Sequence, residues 1–175
     1  MSIELYKEKI QELAEKRIDE MFFNVNAEHA MIVVTELMKN AENYVYVVGK
    51  NMDPTVTDNK EYLEAVEFFL KKENSKMKIL LTNYDKEKFE NSKIGKLLAK
   101  YMAEHKEIEI RHTEGKQIRR EGGIPINFTV SDGRAYRFER DVNNHIAFGN
   151  FNDEKTATSL AKKFITFFEQ GSVIS

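Results

Sequence analysis

Two stretches constrain this chain more than any others. "NYVYVVGK" (43–50) is a continuous apolar run rich in β-branched and aromatic residues, and "KMKILLTN" (76–83) reads as a second buried strand. A strand with one wet face alternates, whereas a continuous run suits a strand buried on both faces. Between the two, Tyr62, Leu63, Val66, Phe69 and Leu70 recur at helical spacing. Strand, helix, strand in that order predicts parallel neighbours joined by a right-handed crossover.

The flanking segments extend the pattern. Ile94, Leu97, Leu98, Tyr101 and Met102 mark another helix, and "EIEIRH" (107–112) alternates like a strand wet on one face. Earlier, Asn26 is a fitting N-cap for a helix whose stripe is Ala30, Val33, Val34, Leu37, Met38 and Ala41. Residues 3–21 carry Ile3, Tyr6, Ile10, Leu13, Ile18 and Met21 at helical spacing, so a first helix precedes the alternation. After the Gly-bounded basic loop "TEGKQIRREGG" (113–123), residues 125–150 read as three short strands. The first two are joined at Asp132-Gly133, a dipeptide suited to a two-residue hairpin turn. A closing helix over about 153–170 buries Ala157, Leu160, Phe164 and Phe168. The expected fold is therefore α/β: a mixed β-sheet sandwiched by helices. The expected division is an N-terminal helix over 1–24 and an α/β domain over 25–175.

At 175 residues one domain with a real core is expected. A net charge of −2 gives no global drive toward nucleic acid, which is not favoured as a partner, or toward membranes. The chain has no Cys, so disulfides, thiolate nucleophiles and Cys-ligated metals are excluded. No apolar run approaches membrane-spanning length, and the charged opening lacks a signal-peptide core; a cytoplasmic protein is expected. No metal-ligand cluster or Gly-rich phosphate loop is legible, so neither a metal nor a cofactor is expected.

The chemistry-bearing residues gather late in the sequence. Six of the seven arginines lie between Arg111 and Arg140. A guanidinium suits a phosphate or carboxylate, but Glu107, Glu109, Glu114, Glu121, Glu139 and Asp141 alternate among them and favour ion pairs instead. In "RAYRFER" (134–140), Arg134, Tyr136, Phe138 and Arg140 share one strand face; Ala135, Arg137 and Glu139 share the other. The aromatic pair is expected against a helix. Asn150, Asn152 and Asp153 precede the last helix, where one of them is needed as a cap. Lys50, Asn51 and Asp53 follow a buried strand, at the strand end where open α/β sheets bind ligands.

The order of elements, with "SDG" (131–133) and "GNFN" (149–152), resembles one half of a phospholipase D superfamily domain. In that family a strand carries His-x-Lys, an Asp follows five residues after the Lys, and after a turn and a second strand comes a Gly-Ser-x-Asn loop. Counting back from Asp132 puts Pro125 at the His position and Asn127 at the Lys position; Asn150 replaces the Ser. The resemblance thus implies a half domain that has lost its nucleophile and phosphate-holding cation. Its implied function is a binding or regulatory module, paired as a homodimer, recognising a small anionic ligand or a protein partner. The expected ligand-binding residues are Asn127, Thr129, Asp132, Arg137, Asn150, Asn152 and Arg111. The alternative is a divergent phosphodiesterase or nuclease using a histidine outside the motif, His145 or His112.

Overall fold

A computed structural model describes residues 1–104 and 106–174. The two buried runs form β2 (Tyr44–Gly49) and β3 (Lys76–Leu81), which pair in parallel. β4 (Glu107–His112) continues the parallel set beside β3. The crossovers are α3 (Pro54–Thr57) with α4 (Lys60–Leu70), and α5 (Lys86–Asn91) with α6 (Lys93–Ala103).

On the other side of β2 the sheet turns antiparallel. β5 (Asn127–Ser131) pairs with β2, β6 (Ala135–Asp141) with β5, and β7 (Ile146–Asn150) with β6. Asp132 and Gly133 both take positive φ, 54° and 67°, as a tight hairpin with two left-handed central residues requires. Two short strands close the edges: β1 (Phe22–Asn24) beside β7, and β8 (Ser172–Val173) beside β4. The mixed sheet has eight strands in the order β1-β7-β6-β5-β2-β3-β4-β8.

The two faces are covered unequally. Val45 and Ile79 face α2 (Ala27–Asn40), α4 and α6 in a core with Met38, Phe69 and Leu98. Val48, Phe128, Val130 and Tyr136 face α7 (Glu154–Glu169) through Leu160, Phe164 and Phe168. The aromatic face of β6 therefore packs on a helix, as its alternation predicts. A third core joins α1 (Ile3–Glu15) to α2: Ile10 and Leu13 meet Val33, Leu37, Phe22 and Phe151. The first helix stops at Glu15 rather than running to Met21, since Arg17 adopts a φ of 50° that no helix accommodates. The chain then supplies β1, so the N-terminal segment is built into the sheet. Among the described residues no helix is long and apolar enough to cross a membrane.

Candidate functional site

Register places a polar row in an otherwise apolar sheet face. Asn127 opposes Glu139, and Thr129 opposes Arg137. Alternation puts all four on the α2 side, where Val47 pairs with Thr129. Asn24, at the sheet edge, lies two strands over from Glu139 on the same rung. The row is buried: Arg137 is 6% exposed and Glu139 is 4% exposed. Charges at that depth need partners. Asn24 Oδ1 accepts from Arg137 Nε at 2.8 Å, and Glu139 Oε1 accepts from Asn127 Nδ2 at 3.2 Å. Arg137 Nη2 lies 2.7 Å from Glu139 Oε2. That approach lacks hydrogen-bond alignment, so the charge is neutralised while Nη2 keeps no hydrogen-bond partner.

His145 completes the group. It sits in the β6–β7 turn with a φ of 55°, and its backbone carbonyl accepts from Asn24 Nδ2. Its Nδ1 lies 3.6 Å from Glu139 and its Nε2 3.2 Å from Asp53, the N-cap of α3. Arg137, Glu139, His145, Asn127 and Thr129 line a cavity of about 110 Å³. Its opposite wall is apolar, with Val34 and Met38 of α2 and Val56 and Tyr62 of the crossover. Burial pushes the Tyr62 phenol far up, so that wall stays uncharged. Lys50, Asn51 and Asp53 stand around the same cavity, at the C-terminal end of β2. No group of three or more side chains able to hold a metal ion occurs among the described residues.

The other candidates lie elsewhere. The Asp132 carboxylate accepts from the backbone N–H groups of Glu42, Asn43 and Tyr44 at 2.8, 2.8 and 3.0 Å, tying the hairpin turn to the entry of β2. Arg134 donates to the carbonyls of Phe151 and Asn40, and burial lowers its pKa. Asn150 donates to Asp19 and accepts from the N–H of Asn152. Asp153 is the cap of α7; hydrogen bonds from Thr156 hold its carboxyl below the usual range. Arg111 is on the α7 side, stacked 4.6 Å over Phe168 and bound to Glu109. His112 is three strands from Asn127, about 14 Å away in the sheet, and leans on Tyr84. Arg111, Arg134 and Arg137 thus make separate internal contacts, and of these Arg137 lines the cavity.

No family model matches the sequence, and no curated protein matches it. Solved structures do. TrmBL2, described as an archaeal chromatin protein with a novel mode of DNA binding, superposes with a TM-score of 0.64 at 15% identity over 98% of this chain. The chain spans 62% of that protein's length. Nuc from Salmonella typhimurium, a phospholipase D family member, gives a TM-score of 0.54 at 13% identity, covering 89% of this chain and 99% of its own. NucT from Helicobacter pylori gives 0.56 at 12% identity, covering 90% and 100%. The fold is phospholipase D-like.

Within this phospholipase D-like sheet, chain direction separates the two motif fragments. In the family pattern one strand runs between the Asp turn and the Gly-Ser-x-Asn loop. Here two strands do, β6 and β7. Each antiparallel strand carries the chain to the opposite end of the sheet. "GNFN" therefore arrives beside the Asp132-Gly133 turn, with Asn150 opposite Tyr136, three rungs and about 10 Å from the rung of Asn127. Asn127, Thr129 and Arg137 line one cavity; Asp132, Asn150, Asn152 and Arg111 do not line it. Asn24 was invisible as a site residue, since it is 113 positions from Arg137; Glu139 was legible only as a neighbour of Arg137 on one strand face.

Proposed function

We propose that this chain is a catalytically degenerate phospholipase D-like binding or regulatory module that acts as a homodimer. One observation supports it above the rest. Asn127, where the resemblance puts the phosphate-holding Lys, spends its amide on a buried carboxylate, and Pro125 just before it has no nucleophile. Attack on phosphorus and stabilisation of the developing charge both lack their groups. The ligand is a small molecule or a protein partner. The resemblance implies a small anion, for which Arg137 is the buried cation of the pocket. Nucleic acid is not favoured, because Arg111, Arg134 and Arg137 are spent on internal contacts. The exposed apolar residues Met21, Phe23 and Val25 lie on and beside the short edge strand β1 and favour self-association there.

The second reading, a divergent phosphodiesterase, gains from His145 lining the cavity between two carboxylates. Its weakness is geometric: both ring nitrogens face a carboxylate, which leaves no lone pair directed at a substrate. The deciding assay is hydrolysis of bis(p-nitrophenyl) phosphate. No turnover above buffer is expected; turnover that His145→Ala abolishes would establish the enzyme. Light scattering is expected to give twice the mass of the chain, and a monomer across the micromolar range would remove the dimer.

A further inference from the structure

The cavity beside Arg137 has a chemistry of its own. Its only buried cation already faces Glu139 at 2.7 Å, and Lys50 and Asp53 oppose each other in sign around the opening. The lining therefore carries no surplus positive charge to receive an anion. A phosphate or carboxylate placed against Arg137 would set a second negative charge beside Glu139, in a place with little water to screen it. What the row does offer is hydrogen-bonding groups without surplus charge. The Arg137 guanidinium is part of the lining, with its Nη2 held against Glu139. Asn127 turns its Nδ2 toward Glu139, which leaves its Oδ1 as an acceptor of the lining, together with the carboxylates of Glu139 and Asp53. Across from this row the wall is Val34, Met38, Val56 and Tyr62.

We infer that the cavity takes a compact uncharged molecule with a carbonyl acceptor, an adjacent N–H donor and a short apolar end, that is, a small carboxamide. The inference rests on the reading of the chain as a binding module and names the ligand class of that pocket. The carbonyl oxygen accepts from the Arg137 guanidinium, the amide N–H donates to the acceptors of the row, and the apolar end lies on the α2 wall. A neutral acceptor satisfies the donor without disturbing the Arg137–Glu139 balance. A volume of about 110 Å³ holds about six non-hydrogen atoms, which also allows it to seat only the head of a longer molecule.

Isobutyramide and isobutyrate have the same shape and differ in charge, so they separate the two chemistries. Saturation-transfer NMR on the full chain is expected to show isobutyramide binding at least about tenfold more tightly than isobutyrate or inorganic phosphate. Arg137→Met should abolish the difference. Because that variant removes a buried charge and can fail to fold, Val34→Phe serves beside it. It fills the cavity from the apolar wall, leaves the polar row untouched and should remove isobutyramide binding. Isobutyrate or phosphate binding as tightly as the amide, in a manner blocked by Val34→Phe, would overturn the carboxamide class and leave the binding-module reading intact. Isobutyramide binding that survives Val34→Phe, or no saturation of any probe up to roughly 100 mM, would also overturn it, the cavity then holding water only. Phosphodiester turnover in the separate hydrolysis assay would instead overturn the module reading itself.

Discussion

Replacing Asp132 by Asn tests whether this residue is a structural tie. Its side chain is 5% exposed and accepts three backbone N–H bonds, two at Oδ1 from Asn43 and Tyr44 and one at Oδ2 from Glu42. Arg134 stands 3.8 Å away and adds a cation. An Asn keeps one oxygen, so it retains at most the Oδ1 pair, and it sets an NH₂ donor against the Glu42 N–H. The φ of 54° does not change the comparison, since Asn tolerates the left-handed region as well as Asp. The loss is one charge-assisted bond, the charge assistance of the other two, and one donor facing a donor. At about 1.5–3 kcal/mol for a bond to a charged acceptor, partly recovered by water at the exposed Glu42 end, the net cost is about 3 kcal/mol. For a chain of this length that lowers Tm by roughly 6–12 °C. Urea denaturation followed by circular dichroism, with unchanged m, is the assay. Isobutyramide affinity should be unaltered in the folded variant, because Asp132 is at the far end of β5 from the cavity. A variant within about 0.5 kcal/mol of the parent would refute the tie, and lost ligand binding in a fully folded variant would return Asp132 to the site.

Two further outcomes follow from other parts of the molecule. His29 stacks on Tyr6 at 3.8 Å, its Nδ1 is buried without a partner, and desolvation lowers its pKa against the opposing pull of Glu28. Its folded value lies below the unfolded one near 6.5, so the unfolded chain binds the extra proton; this contribution is complete above about pH 6.5 and is lost as pH falls through the folded value. Denaturation midpoints should drop on acidification through that window and drop less in His29→Phe, which keeps the stack; equal slopes would refute the assignment. At Gly149 an added Cβ would sit 2.2 Å from the Tyr136 carbonyl oxygen and 2.5 Å from Phe22 Cζ. Gly149→Ala should cost about 3 kcal/mol by denaturant titration, and a neutral result would show that β1 yields easily.

Much of the sheet was legible because its strands are locally distinctive. The continuous run of β2, the buried strand read at β3 and the alternation of β4 announced a parallel set, and Asp132-Gly133 announced the hairpin. The two faces of β6 were readable residue by residue, and this placed Arg137 with Glu139 before any coordinate. The short edge strands were not readable, since three residues of "FFN" and two of "SV" carry no period. Nor could a helical stripe from Ile3 to Met21 reveal that Arg17 breaks it with a positive φ. For the site, the missing information was partnership across the chain: Asn24 meets Arg137 only because β1 docks on β7. The separation of "GNFN" from Asn127 was within reach, however. An odd number of antiparallel strands ends opposite to where it began, and three strands stand between Asn127 and that loop.

The polar row also sets how the molecule can come apart. On the α2 side of the sheet it forms a seam between two apolar bodies, the one around Val45 and Ile79 and the one that joins α1 and Phe22 to Phe151. Apolar cohesion does not run across a line of Asn, Arg and Glu, so the N-terminal body can open while β2, β3 and β4 stay closed. α2 contributes apolar residues to both, with Val33 and Leu37 on one side and Met38 on the other, and the exposed Lys7–Glu61 pair adds a link between α1 and α4. Amide exchange in α1 and β1 should accordingly run ahead of exchange in the parallel strands. Whatever fills the cavity sits on the seam, beside the helix common to both apolar bodies, and its binding is expected to slow amide exchange in α1 and β1.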